Sequence, residues 1–314
     1  MHLQILDFDN SVAGQTSLPA ALEWSSVETF ALTDLAPRLR LWSRNATIDE
    51  LRARLDAQNA KSRNAITMLG SGDFHHVAAL LIERATRETT EPFTVVHVDN
   101  HPDWVRFAPR WHCGAWVNRV LELPRVAKVI TLGVCSDDLV RPDLKGGNLR
   151  ALAGGRLVLL PWSHAPSRVW TRMPDGPGHH YDNGVIAWNN LANGEFSAHL
   201  QEMLAQIETD AVWITIDKDV LPEAEALSNW DQGRMPLARV LETIRFIGCN
   251  KRIAGADICG EYSPAQHVNW FKRIEARIDQ PKRAANSAAL ARNEQINVEL
   301  LRALVAAETQ RGAA

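Results

Sequence analysis

The feature that most constrains this chain is a series of short apolar runs rich in β-branched residues. They fall at residues 3–7 (LQILD), 65–69 (AITML), 93–98 (FTVVHV), 128–134 (KVITLGV), 156–160 (RLVLL), 211–216 (AVWITI) and 252–258 (RIAGADI). Each is too short for a helix and apolar on successive residues, as expected of strands buried on both faces. Between several of them lie segments with helical periodicity, at 77–88, 114–123, 197–208 and 236–247. Strands alternating with helices predict a three-layer α/β/α fold around a mostly parallel central sheet. A last amphipathic helix is expected over about 287–308, followed by a frayed polar tail.

Residues 161–196 hold four prolines, several glycines and His179-His180. This excursion is too short for a core of its own, and strands resume beyond it, so a single domain over 1–314 is expected. No apolar run approaches the ~18–20 residues that a membrane span requires. The opening MHLQILDFDN lacks a basic segment followed by an apolar one, which argues against a secretory signal. Four cysteines without a CxxC pair point away from a disulfide framework and towards a reduced, cytoplasmic setting. Lys and Arg number 34 against 37 Asp and Glu, which gives no signal for nucleic-acid binding.

Three strand ends carry chemistry. In FTVVHVDNHPDW the apolar run ends at Val98, and Asp99, His101 and Asp103 follow at i, i+2 and i+4. Past a strand, that spacing gathers mixed carboxylate and imidazole donors, which suit Mn²⁺, Fe²⁺, Co²⁺ or Zn²⁺. In AVWITIDKDVLP, Asp217 and Asp219 follow Ile216. Two close carboxylates repel unless a cation lies between them, although a plain loop pair has the same signature. In AITMLGSGDFHH a strand enters a tight turn, and His75-His76 precede a helix. One could ligate, or one could cap the helix and the other be solvated. In parallel sheets ligands bind beyond the carboxyl ends of the strands, so the fold would converge all three. Such a donor set is what a two-metal site requires.

The order of these motifs resembles the ureohydrolase superfamily of arginase, agmatinase and formiminoglutamase: a Gly-rich turn with Asp and His, D-x-H-x-D, D-x-D, then a late Glu before Pro. The patches run from Gly70 to Pro264. The His101-Pro102-Asp103 variant also resembles a divergent arginase-like group, some of whose members act on arginine within peptides. The resemblance implies an arginase-like fold and two divalent ions, Mn²⁺ first, with Zn²⁺, Fe²⁺ or Co²⁺ as alternatives. It assigns His75 or His76, Asp99, His101, Asp103, Asp217 and Asp219 as ligands, with Asp99 and Asp217 bridging. Counting back from the helix favours His75. Glu261, in GEYSP, would pair with a substrate guanidinium, and His112 would shuttle protons. Asp219 would accept a proton from the activated water. Members of the family are often trimers or hexamers, which implies a homo-oligomer as one assembly to expect.

The chain also departs from the family pattern. Phe74 is an extra residue in the first motif, and the Asp that usually follows D-x-D as x-x-D-P is replaced by Val220-Leu221-Pro222. The substrate is therefore read only as a small, or peptide-borne, guanidino or formimino compound. Arg106 and Arg110 could hold a substrate carboxylate. The rival readings are a zinc deacetylase of the same fold, using His75-His76 for acid–base work, and a non-catalytic metal-binding or small-molecule-binding relative. A thiol hydrolase built on His112 and Cys113 is a further alternative. His97 reads as a satisfied core residue, and Asp137-Asp138 as a structural loop.

The chain holds 11 Trp against 2 Tyr and 8 Phe. Trp104, Trp111, Trp116 and Trp230 flank the motifs, so a Trp-lined substrate cavity is expected.

Overall fold

The computed structural model describes every residue except 107, 108, 110, 265, 266, 268 and 310–314, with residue 309 by its backbone alone. Eight strands form one sheet: β1 (His2–Asp7), β2 (Val27–Ala31), β3 (Ala65–Gly70), β4 (Phe93–Val98), β5 (Val126–Leu132), β6 (Leu157–Leu160), β7 (Ala211–Asp217) and β8 (Arg252–Cys259). Their spatial order is β2-β1-β3-β8-β7-β4-β5-β6, and every pairing is parallel. All seven expected strands are present. β2 is additional: at the sheet edge only Phe30 of its five residues is buried, so its apolar signal is weak.

The period of two along each strand splits the core into two layers. Val95, Val129, Leu157, Leu159 and Trp213 face helices α1 (Asn45–Ala57), α2 (Val77–Arg87), α3 (Trp116–Leu121) and α4 (Leu149–Ala153). Val96, Val98, Ile130, Leu132, Val212, Ile214 and Ile216 face α5 (Phe196–Ala205), α6 (Leu237–Asn250) and α8 (Ser287–Thr309). Helix α7 (Trp270–Asp279) lies past the carboxyl ends of the strands and exposes Trp270, Phe271 and Ile278. Among the described residues no helix is long and apolar enough to cross a membrane, and no disulfide is formed.

The excursion folds as a small antiparallel sheet of Ser167–Arg168, His179–Asp182 and Val185–Trp188. Asn183 and Gly184 both take positive φ (45° and 84°), the turn that an Asn-Gly hairpin adopts. His180 is exposed, whereas His179 is buried against Trp188.

Candidate metal centre

Strands β3, β8, β7 and β4 are adjacent in the middle of the sheet, so their carboxyl ends meet at one place. Beyond β3, a turn of 3₁₀ helix at Gly72–Phe74 delivers His75, which is 1% exposed. Its Nδ1 lies 3.1 Å from Asp99 Oδ2, 3.3 Å from Asp103 Oδ2 and 3.6 Å from Asp217 Oδ2. Its Nε2 lies 2.9 Å from Thr215 Oγ1, and that hydroxyl donates to Asp257 Oδ1 at 2.6 Å. With its proton committed to Asp257, Thr215 accepts from Nε2–H, and the Nδ1 lone pair of a neutral imidazole faces three carboxylates. That arrangement calls for a cation. Without one, burial pushes the imidazole pKa down, but Cys259, Asp103 and Asp99 raise it well above its ordinary value.

Beyond β4, Asp99 is buried and its Oδ1 accepts from the His101 backbone N–H at 2.6 Å. Asp103 takes φ +47°, a region in which Asp is enriched among non-glycine residues, and its carboxylate faces His75. Trp116 Nε1 donates to Asp103 Oδ2 at 2.6 Å and holds it there. His97 also belongs to this cluster: its Nε2 is 2.8 Å from Asp99 Oδ2, and its Nδ1 is 3.1 Å from Thr131 Oγ1. The strand alternation that places Asp99 at the sheet end puts residue 97 on the same side. The apolar company of His97 hid this in the sequence.

Beyond β7, Asp219 Oδ2 lies 3.0 Å from His101 Nδ1, and Asp231 Oδ1 lies 2.8 Å from His101 Nε2. A carboxylate on the far ring nitrogen is the usual orienting partner of a ligating histidine. Burial and the Asp99 charge push the Asp217 carboxyl up to about 6. Burial and the Asp217 charge push Asp219 well above the carboxylate range. Two donor groups emerge: His75, His97, Asp99 and Asp103, and then Asp99, His101 and Asp219. Asp99 belongs to both. A third group joins His75 and Asp217 to Cys259. This buried, acid-rich donor set fits divalent metal ions.

Two glycines permit this packing. A Cβ at Gly72 would lie 2.6 Å from Asp217 Oδ2, and Gly260, at φ +90°, presses its backbone against the same carboxylate. Gly72→Ala is expected to displace Asp217, weakening metal binding roughly 10–100-fold and costing about 1–3 kcal/mol of stability. Metal titration and thermal unfolding of the variant read both effects.

The donor groups open into a cavity of about 710 Å³. Its lining includes Asp99, Asp103, Asp137, Asp138, Asp217, Asp219, Asp231 and Asp279, against Lys145 as the one Lys or Arg among the described lining residues. Asp137 and Asp138, read from sequence as structural, therefore face the cavity. Lys145 pairs with Asp138 at 3.3 Å. His112 and Cys113 also line the cavity. His112 Nδ1 accepts from the Gly114 N–H at 2.9 Å, so Nε2 carries the proton, which points to Glu275 Oε1 at 2.5 Å. Burial pushes Glu275 up, but the hydrogen bond from His112 outweighs it and holds the carboxyl below its ordinary value. Burial raises the Cys113 thiol well above its ordinary value, which disfavours a thiolate nucleophile.

Several expectations need correction. Trp104 is fully buried in the α-helical layer and does not line the cavity. Trp111 donates to Asn45 Oδ1, and Trp116 packs behind His75 and His97 at 4.9 and 5.0 Å between ring centroids. Of the four tryptophans only Trp230 faces the cavity; its Nε1 donates to Asp73 Oδ1 at 3.0 Å. Arg106 is exposed and lines a separate, Arg-rich groove. Arg110 lies outside the described residues. Glu261 is 2% exposed and absent from the cavity wall; it pairs with the buried Lys218 and accepts from Asn293 and Asn297 of α8 at 3.0 and 2.5 Å. Its partners are thus supplied from within the chain, and the geometry makes it a tie between β8 and α8. His76 is buried, with no hydrogen-bond partner on either ring nitrogen among the described residues, and does not line the cavity. The His75-His76 pair is therefore not presented together to a substrate.

No protein-family model matches the chain. An uncharacterized protein of Thermotoga maritima is 25% identical over 265 residues, covering 84% of this chain and 82% of that protein. The proclavaminate amidino hydrolase of Streptomyces clavuligerus superposes with a TM-score of 0.61 at 14% identity, over 98% of this chain and 91% of its own. The arginase of Bacillus cereus superposes with a TM-score of 0.59 at 12% identity, over 97% of this chain and 98% of its own. The eight-stranded parallel sheet with helices on both faces is thus the fold of arginase and proclavaminate amidino hydrolase, as the resemblance to the ureohydrolase superfamily implies.

Proposed function

We propose that this chain is a binuclear-metal hydrolase that cleaves a C–N bond of a small cationic guanidino or formimino compound. The observation that carries the reading is the acid-lined cavity closed at its base by the buried His and Asp cluster. His75, Asp99, Asp103 and Asp217 would hold one ion, and Asp99, His101, Asp217 and Asp219 the other. Two such ions, when bound, supply a hydroxide at neutral pH by lowering the pKa of water, and they stabilise developing negative charge.

The chain's own residues do the rest. Asp137, Asp231 and Asp279 surround the cavity with negative charge, which favours a cationic substrate over a neutral one. Asp219, whose Oδ2 lies 3.0 Å from His101 Nδ1, would accept the proton of the activated water, as the resemblance implies. The hydrogen-bonded His112–Glu275 pair stands at the cavity wall, where a proton that it takes up from solvent can be passed to a leaving amine. Lys145, beside Asp138, can meet a substrate carboxylate in place of Arg106.

The test is release of urea or ammonia from a panel of guanidino and formimino compounds, set beside acetyl-amines. Turnover of a cationic member and none of the neutral acetyl-amines is expected; the reverse would overturn the reading. The paired change Asp137→Asn and Asp279→Asn should raise KM roughly tenfold with little change in kcat, since it removes charge felt by bound substrate in every state. His112→Asn should instead lower kcat by about 10²–10³-fold at nearly constant KM.

A further inference from the structure

We infer that the two metal positions are chemically unequal, and that the inner one is completed by the Cys259 thiolate. The inference rests on the binuclear centre proposed above and concerns which atoms build it.

Cys259 ends β8, in register with Asp217 of β7 and Gly70 of β3. It is 1% exposed, and its Sγ lies 3.2 Å from Asp217 Oδ2. That same oxygen is 3.6 Å from His75 Nδ1. Sulfur, carboxylate and imidazole thus form a compact donor group whose ligand atoms all lie within 4.8 Å of one another. The sulfur thus faces both the Asp217 carboxylate and the His75 imidazole. His97 Nε2, 2.8 Å from Asp99 Oδ2 and 3.8 Å from Asp103 Oδ2, adds a second imidazole on the same side.

The outer group has a different composition. Asp99, His101 and Asp219 offer carboxylates and one imidazole. Thiolate and imidazole favour Zn²⁺, Co²⁺ or Fe²⁺, whereas carboxylates and water accommodate Mn²⁺ or Mg²⁺. The inner position therefore selects the softer ion and the outer one the harder. On binding, the S–H bond is exchanged for a sulfur–metal bond and the proton leaves to water, with no change of oxidation state.

Cobalt(II) reads this without reference to activity. Metal-free full-length chain is loaded with Co²⁺, bound cobalt is counted by elemental analysis, and the near-ultraviolet absorption is recorded. An intense thiolate-to-cobalt charge-transfer band is expected with the first equivalent. It should vanish in Cys259→Ser and persist in Cys113→Ser and Cys135→Ser, the two cysteines that line the cavity. Cys259→Ser should also lose roughly tenfold or more of the preference for Zn²⁺ over Mn²⁺. Cobalt bound without the band, or a band that survives Cys259→Ser, overturns the thiolate while leaving the centre standing. No bound cobalt at all overturns both. If the Cys259 variant does not fold, a wild-type band that persists in both Cys113→Ser and Cys135→Ser supports the assignment, and one lost in either overturns it.

Discussion

Asp99→Ala is expected to take the purified chain from about two bound metal ions to fewer than one, and to lower kcat/KM by at least ~10³-fold. The expectation follows from where Asp99 sits. It belongs both to the group of His75, His97, Asp99 and Asp103 and to that of Asp99, His101 and Asp219, and with Asp217 it would serve both ions. It also accepts from the His101 backbone N–H and faces His75 and His97. Removing it leaves His75, His97 and His101 packed near one another with less charge to balance an ion. Burial pushes Asp99 up, but the surrounding histidines, His97 foremost, hold it well below the ordinary carboxylate range, so it is the anion around which the cluster is built. Asp231→Asn, one contact further out at His101 Nε2, should be milder, at roughly 10–100-fold in metal affinity. Elemental analysis and steady-state kinetics of the two variants distinguish the cases. Equal effects would remove the bridging role from Asp99.

Stripping the metals should lower the melting temperature by about 10 °C, and the gap between loaded and stripped protein should widen as pH rises from about 4 to 8. At a thousandfold excess over Kd each ion contributes about 4 kcal/mol, and a chain of this length shifts by somewhat under 2 °C per kcal/mol. The pH dependence has a definite sign. Asp217 is raised from 3.8 to about 6, so between those values the folded, stripped chain binds more protons than the unfolded chain. Its stability therefore falls as pH rises through that window, by on the order of 3 kcal/mol from this group. His75 and His101 are raised above 6.5, which continues the loss above that pH. Bound cations take the place of these protons and remove the slope. Thermal unfolding with and without chelator at a series of pH values reads it, and a constant gap would contradict this view of the cluster.

Most of the sheet was legible because a strand buried on both faces has nowhere to place polar residues, as in FTVVHV and AVWITI. β2 was not, because at the sheet edge it keeps Val27, Thr29 and Ala31 in solvent. Helix α1, NATIDELRARLDA, was also missed, since only Thr47, Ile48, Leu51 and Leu55 of its thirteen residues are buried. At the site, residues just past a strand end could be read, for the fold itself converges them. Those that arrive from elsewhere could not. Asp231 reaches His101 from a loop, Glu275 reaches His112 from α7, and Asp257 reaches His75 only through Thr215. The tryptophans misled for a related reason: Trp104 and Trp116 adjoin the motif in sequence, yet the turn at Asp103 sends them behind it. Glu261 fell at the expected end of the expected strand, but the partner that occupies it, Lys218, lies in the D-x-D motif itself.

The most direct measurement is elemental analysis of the purified chain after exposure to excess Mn²⁺ and Zn²⁺, followed by gel filtration, for wild type and Asp217→Ala. We expect close to two ions per wild-type chain and about one or fewer in the variant. Folded wild-type protein holding fewer than one ion, or an unchanged count in Asp217→Ala, would contradict the binuclear centre.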